Sequence, residues 1–275
     1  MINFNGRLLP EREFNPGLKN RAFKYGDSIF DTLKWENGLL FFLEDHYFRL
    51  MSSMRMLRMK IPLNFTLEYY EAQIRKTLSD SLENKNARIR VSIYRADGGY
   101  YAPETNESNF LIEVAPIEKP KYQNYEIELY KDFPVASGLL STIKTNNRII
   151  NVLASVYATE NAYQNCILIN EKKEVVEAIN SNIFLIRGNE VITPPLDSGC
   201  INGLVRKKLI EGLHKRGDLK VFELAVSPFD LLKADEIFLT NSISEIQSVD
   251  QYRKKIYSQE KTKEIRAYFL SNIKK

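Results

Sequence analysis

The chain has few of the residues that build metal centres and disulfide frameworks. Its 275 residues include two cysteines, Cys166 and Cys200, and two histidines, His46 and His214. Cysteines that far apart make neither a metal knuckle nor a disulfide scaffold. A zinc site of histidine and cysteine is not expected either. Long apolar runs are also missing. No stretch approaches the roughly 20 apolar residues of a membrane-spanning helix, and the first residues, MINFNGRLLPEREF, hold no apolar signal core. The cytoplasm is therefore the expected compartment. Charge of one sign is not concentrated: the net charge is +4, and Lys172-Lys173, Lys207-Lys208 and Lys254-Lys255 are isolated pairs. Neither nucleic acid nor a membrane surface is an expected partner.

What is present is an ordinary globular composition, long enough for two modest domains. RAFKYGDSIFDTLKWENGLLFF reads as two strands joined at Asn37-Gly38, a strong hairpin signal. LEDHYFRLMSSMRML reads as a helix with Phe48, Met51, Met54 and Leu57 along one face. TLEYYEAQIRKTLSDSL is a second helix, carrying Leu67, Tyr70, Ile74, Leu78 and Leu82. ARIRVSIYRA and SNFLIEVAP are strands around the turn-like DGGYYAPETNE. These elements make an α+β domain over 1–115. PIEKPKYQN, without periodicity, marks a linker at 116–124, and 125–275 form a second domain. There YEIELY, CILIN, VVEAI, SNIFLIR and VITPP read as short strands. GLVRKKLIEGLHKRG is a helix that stops near Gly217, and Ser227-Pro228 opens a short one.

The most informative stretch is LLSTIKTNNRIINVLASVYA. An apolar run, read as a strand, leads to Lys144, and an amphipathic helix follows with Ile149, Val152 or Leu153, and Val156 on one side. A lysine becomes a nucleophile when desolvation or a nearby cation such as Arg148 disfavours its charged form. One lysine among 39 basic residues is more often a solvated side chain, so its companions decide. Glu177 sits among apolar neighbours in EVVEAINSNIF, where alternation predicts a face shared with Val175 and Ile179. A half-buried acid there needs a cationic partner, and a protonated pyridine nitrogen is one. Asn202-Gly203 opens a helix whose first N–H groups are unpaired, a ready anion site. Thr240, Ser242 and Ser244 follow an apolar strand, and Arg49, one helical turn after His46, suits a phosphate. A lysine for an aldehyde, an acid for a pyridine and donors for a phosphate are what pyridoxal phosphate requires.

In this pattern the chain resembles the class IV aminotransferases, the fold-type IV pyridoxal-phosphate enzymes that include branched-chain and D-amino acid aminotransferases and aminodeoxychorismate lyase. The resemblance runs nearly end to end through NRAFKYGDSIFDTL, LEDHYFRL, IKTNNR, EAINSNIF, TPPLDSGCINGLVR and DEIFLTNS. It implies a small N-terminal α/β domain, a larger C-terminal pseudo-barrel domain, and a homodimer with its site between domains. By motif position Lys144 resembles the Schiff-base lysine and Glu177 the pyridine partner. Arg49, Leu204, Val205 and Ser242 resemble the phosphate ligands. Tyr25 and Phe30 resemble substrate-pocket residues, and Ile243 a position whose N–H faces the substrate carboxylate. Two positions depart from the pattern: Val205 replaces the usual threonine, and Asp31 the usual glutamate. The expected activity is transamination of a small branched-chain or D-amino acid, with 4-amino-4-deoxychorismate lyase as the alternative. The lyase pattern has a second arginine that Arg95-Ala96-Asp97-Gly98-Gly99-Tyr100-Tyr101 lacks.

Overall fold

The computed structural model describes residues 1–78, 85–118 and 124–274. Leu82 and residues 119–123 of the expected linker lie outside the described residues. The chain forms two compact units, Met1–Lys119 with Lys144–Asn147, and Pro120–Ile143 with Arg148–Lys275.

The first unit contains β1 (Ile2–Phe4), β2 (Arg7–Leu9), α1 (Arg21–Tyr25), β3 (Ser28–Glu36), β4 (Leu39–Leu40), α2 (Leu43–Met56), α3 (Leu67–Thr77), β5 (Ala87–Arg95) and β6 (Ser108–Pro116). The strands make one antiparallel sheet in the order β2-β1-β6-β5-β3-β4. Its hairpin turns at Asn37 and Gly38, both with positive φ, as a tight two-residue turn requires. Alternation along β3 sends Ile29, Leu33 and Trp35 into a core shared with Leu50, Met51, Met54, Tyr70 and Ile74 from α2 and α3. Two expectations are corrected. Arg21–Tyr25 is a helix and not strand, because Asn20 caps it by accepting the Phe23 N–H and Gly26 ends it in the left-handed region. Phe48 faces solvent, and His46 and Ser53 are buried on α2 in addition to its apolar residues.

The second unit follows with β7 (Glu126–Leu129), α4 (Ile149–Glu160), β8 (Asn165–Ile169), β9 (Val175–Ala178), β10 (Asn182–Arg187), β11 (Glu190–Thr193), α5 (Leu204–Arg216), β12 (Lys220–Glu223), α6 (Pro228–Lys233), β13 (Glu236–Asn241), β14 (Glu245–Ser248), β15 (Gln251–Tyr252), β16 (Lys255–Ile256) and α7 (Glu260–Tyr268). Its sheets run β12-β11-β10-β13-β14 and β16-β15-β7-β8-β9. They share one core, with Ile127, Ile167 and Val175 from one sheet and Ile183, Leu185, Ile237 and Leu239 from the other. Gly217 ends α5 in the left-handed region, and Asp230 accepts the Ser227 N–H and hydroxyl at the start of α6. Cys166 and Cys200 are buried free thiols, and burial pushes both up to about 12. No described helix is long and apolar enough to cross a membrane.

α4 packs by a face that the sequence reading did not name. Its small residues Ala154 and Ala158 pack inward beside Cys166 and Leu168. Ile149, Val152, Leu153 and Val156, which sequence placed on one side, are exposed. At α7, buried Glu236 accepts the Lys261 N–H at 2.9 Å, the Thr262 N–H at 2.8 Å and the Thr262 hydroxyl at 2.6 Å. A carboxylate from β13 thus serves the unpaired donors of a helix start. Replacing Glu236 with glutamine, which puts an amide donor among these donors, should destabilise the protein by about 2 kcal/mol. A thermal melt tests this, and an unchanged midpoint would refute it.

Candidate active site

Lys144 is presented differently from the sequence expectation. Leu139–Thr142 forms a single 3-10 turn and not a strand, with Leu139 and Leu140 largely exposed. The extended backbone begins only afterwards. Residues Lys144–Asn147 dock as a short extra strand against β3. The Phe30 N–H donates to the Lys144 carbonyl at 2.8 Å, the Asn146 N–H donates to the Ser28 carbonyl at 3.0 Å, and Thr145 pairs with Ile29. Asn147 Nδ2 reaches the Gly26 carbonyl, and Arg90 donates to Asn146 Oδ1. From that backbone Lys144 Nζ lies 4.7 Å from the Phe30 ring centroid, and Arg90 Cζ lies 3.8 Å from the same centroid. The cationic neighbour of the lysine at this ring is therefore Arg90. Arg148 instead belongs to the second unit, where it donates to the Ile143 carbonyl and lies in the field of Glu177.

Glu177 is 4 % exposed. Its face is set by an irregularity that periodicity misses. Leu168 pairs with Glu177 but Ile169 pairs with Val175, so Val176 is an extra residue in β9. The bulge flips alternation: Glu177 shares the face of Leu168, whereas Val175 points into the core between the sheets. Its Oε2 accepts the Ile201 N–H at 2.9 Å. Desolvation lowers the Arg148 pKa and the nearby Glu177 charge opposes that. A cation therefore already stands within the field of this buried acid.

Ile201 leads into α5, and the approach to that helix is held from several sides. Asn182 Nδ2 donates to the Ile201 carbonyl at 2.8 Å, and the Asn202 N–H donates to the Thr142 carbonyl at 3.2 Å. Gly203 is the N-cap, and a Cβ there would sit 2.0 Å from Asn182 Oδ1. Leu204 and Val205 bury their side chains, so what they offer at the helix start is backbone N–H. Thr240, the cross-strand partner of Asn182, has a buried hydroxyl without a partner. Ser242 is half-buried in the loop between β13 and β14. In that loop Asn241 Oδ1 accepts the Ile243 N–H at 2.9 Å and the Ser244 N–H at 2.8 Å. The Ile243 N–H, expected to face a substrate, is engaged within its own turn.

In the first unit Arg49 extends from α2 to β3. Its Nη2 and Nε donate to the two carboxylate oxygens of Asp31 at 2.5 and 3.2 Å, and His46 Nδ1 lies 2.9 Å from Asp31 Oδ1. Burial alone would raise the Asp31 carboxyl, but Arg49 and His46 together hold it well below the usual carboxylate range. Phe30 and Asp31 are consecutive and so point to opposite faces of β3. Lys144 lies with the first and Arg49 with the second. Tyr25 closes α1, with its ring 5.6 Å from that of Tyr101.

Sequence reasoning missed an anchor in this unit. Buried Arg21 donates to Asp27 and to the carbonyls of Gly98 and Tyr100, while Arg95 donates to the same Asp27 oxygen. Charges inside so short a segment carried no periodic signal. Among the described residues, no cluster of three or more His, Cys, Asp or Glu could hold a metal ion.

Residues 28–252 match the family model for amino-transferase class IV. A D-alanine aminotransferase from Bacillus licheniformis is 27% identical over 252 residues, covering 89% of this chain and 86% of its own length. An aminodeoxychorismate lyase from Vibrio harveyi is 28% identical, covering 82% and 83%. The branched-chain amino acid aminotransferase from Escherichia coli has the same fold, with a TM-score of 0.88 at 20% identity over 99% of this chain and 94% of its own. The fold-type IV architecture expected from the sequence is thereby established.

Pyridoxal phosphate is the cofactor of that family, and the residues present fit it. The unpartnered Thr240 hydroxyl, on the residue paired with Asn182, marks the approach to α5 as a place built for more than helix packing. Gly203→Ala should weaken pyridoxal phosphate binding about tenfold, through loss of charge-assisted hydrogen bonding worth ~1.4 kcal/mol. Adding Asn182→Ala should restore part of it by making room. A cofactor titration in which Gly203→Ala binds like the parent chain would remove α5 from the phosphate site.

Proposed function

The chain belongs to the class IV aminotransferases, enzymes of pyridoxal phosphate, and we propose that it transfers an amino group between a small branched-chain or D-amino acid and a 2-oxo acid. The observation that carries the reading is Lys144, its backbone paired to β3 on one side of Phe30 and its amine over that ring. Bound pyridoxal phosphate supplies an electron-withdrawing ring that stabilises negative charge at the substrate carbon bearing the amine. In this reading Lys144 would hold the cofactor by its aldehyde, and its amine would move the proton at the substrate Cα. Glu177 holds a proton at the ring nitrogen. Arg49, the N–H groups of Leu204 and Val205, and the Ser242 hydroxyl hold the phosphate. Val205 has no hydroxyl, so its contribution is backbone alone. Tyr25 and Phe30 line the substrate. Ile243 donates to the substrate carboxylate once its N–H leaves Asn241.

The alternative is 4-amino-4-deoxychorismate lyase, which releases pyruvate and 4-aminobenzoate. Relatives of either name match the chain at nearly the same identity, 27% and 28%, so the order rests on one loop. Arg95 is consumed by Asp27, Asn106 and the Leu57 carbonyl. The loop from Asp97 to Glu104 carries two acids and no cation. That composition is poorly suited to a multiply anionic substrate.

Lys144→Ala should lower turnover by about a thousandfold or more, the scale of a positioned acid–base group. The parent chain, given a panel of L- and D-amino acids, should lose its visible cofactor band with one of them and regain it with a 2-oxo acid. Pyruvate and 4-aminobenzoate released from aminodeoxychorismate would replace this reading with the lyase. Activity retained in Lys144→Ala would end both.

We also infer a homodimer, supported by the exposed apolar stripe Ile149, Val152, Leu153 and Val156 on α4. Light scattering should report twice the chain mass, and Val152→Glu with Val156→Glu should reduce it to one. A monomeric parent chain would overturn the inference.

A further inference from the structure

The least expected feature of the first unit is a carboxylate placed against the arginine assigned to a phosphate. Asp31 is 1 % exposed and His46 is 1 % exposed, while the Arg49 side chain retains 15 %. An anion beside Arg49 cannot assist it as a charge, since it repels a phosphate. What it can supply is orientation. An arginine side chain has many rotamers, and its planar fork must face the phosphate with the correct edge. Asp31 takes the edge formed by Nε and Nη2, and so sets the rotation of the whole guanidinium plane. Asp31 is itself held from two further directions. The Thr32 N–H donates to Oδ1 at 2.6 Å, and His46 Nδ1 approaches the same oxygen. Because Asp31 stays ionised, it is acceptor only, and the Nδ1 of His46 must carry the proton between them. His46 and Arg49 stand three residues apart on α2, so one helix face delivers both donors to one strand residue.

We propose that Asp31 and His46 are positioning residues for Arg49, with the buried Asp31–His46 pair fixing the guanidinium plane that holds the cofactor phosphate. The proposal rests on the reading of Arg49 as a phosphate ligand. It explains why two ionisable groups are buried under a residue that a surface helix would otherwise leave free to rotate. It also gives a function to the acid at position 31, where this chain is one methylene shorter than the family pattern.

The test compares pyridoxal phosphate with pyridoxal, which lacks the phosphate, by visible absorption titration of the full chain freed of cofactor. The ratio of the two dissociation constants reads the phosphate contribution alone. His46→Asn should shrink that ratio about tenfold, the equivalent of one charge-assisted hydrogen bond, with pyridoxal binding unchanged. Asp31→Asn should shrink it further, and Asp31→Glu should preserve it within about threefold, since the charge and both acceptors remain. If Asp31→Asn does not fold, His46→Asn and Asp31→Glu still decide the matter. Arg49→Ala serves as the reference. If Arg49→Ala leaves the ratio intact, the phosphate reading itself fails, and positioning fails with it. If Arg49→Ala shrinks the ratio but His46→Asn and Asp31→Asn do not, the arginine reading stands and the positioning proposal is overturned. Equal weakening of both ligands would show a structural role only and would likewise overturn it.

Discussion

The pairing of Lys144–Asn146 with Ser28–Phe30 is the contact on which the chemistry of the first unit depends. Three backbone positions are matched to β3, and each hydrogen bond removes freedom that the side chain would otherwise inherit. The lysine amine then moves only as far as its own rotamers allow, above the ring of Phe30. The next residue of the same strand, Asp31, turns to the other face and orders Arg49. One strand thus organises two of the cations assigned to the cofactor, through nothing more than the alternation of its side chains.

The second unit solves a different problem. A buried carboxylate and a helix start both need backbone partners in a small volume. The segment Cys200–Gly203 supplies them. Glu177 takes the Ile201 N–H, Asn182 takes the Ile201 carbonyl, and Thr142 takes the Asn202 N–H. A glycine at position 203 is required by crowding and not by conformation, since its φ is −69°. What Asn182 excludes is the Cβ itself. The one neighbouring hydroxyl left over, on Thr240, is buried at a cost that a folded core rarely sustains without reason.

Local signals were legible where chemistry is local. Asn37-Gly38 turned, Gly217 stopped a helix and Ser227-Pro228 started one, because each depends on backbone preferences of the residues themselves. Reading failed where a longer-range partner decided. Leu139 and Leu140 looked like a buried approach, yet they form an exposed turn. The large apolar residues that sequence placed on one side of α4 are exposed, while Ala154 and Ala158 make the tight contact with Cys166 and Leu168. The bulge at Val176 has no sequence mark, and it parts Glu177 from Val175 while Ile179 stays on the Leu168 side.

By itself the sequence determined the family and, through it, the cofactor, because six ordered motifs run nearly end to end. It did not determine what those groups touch. That Asp31 pairs with Arg49, that Arg90 shares the ring of Phe30 with Lys144 and that Arg148 lies in the field of Glu177 were decided only by tertiary structure. The physical reason is distance along the chain. Partners 18 to 114 residues apart meet through burial and packing, which neither periodicity nor propensity encodes.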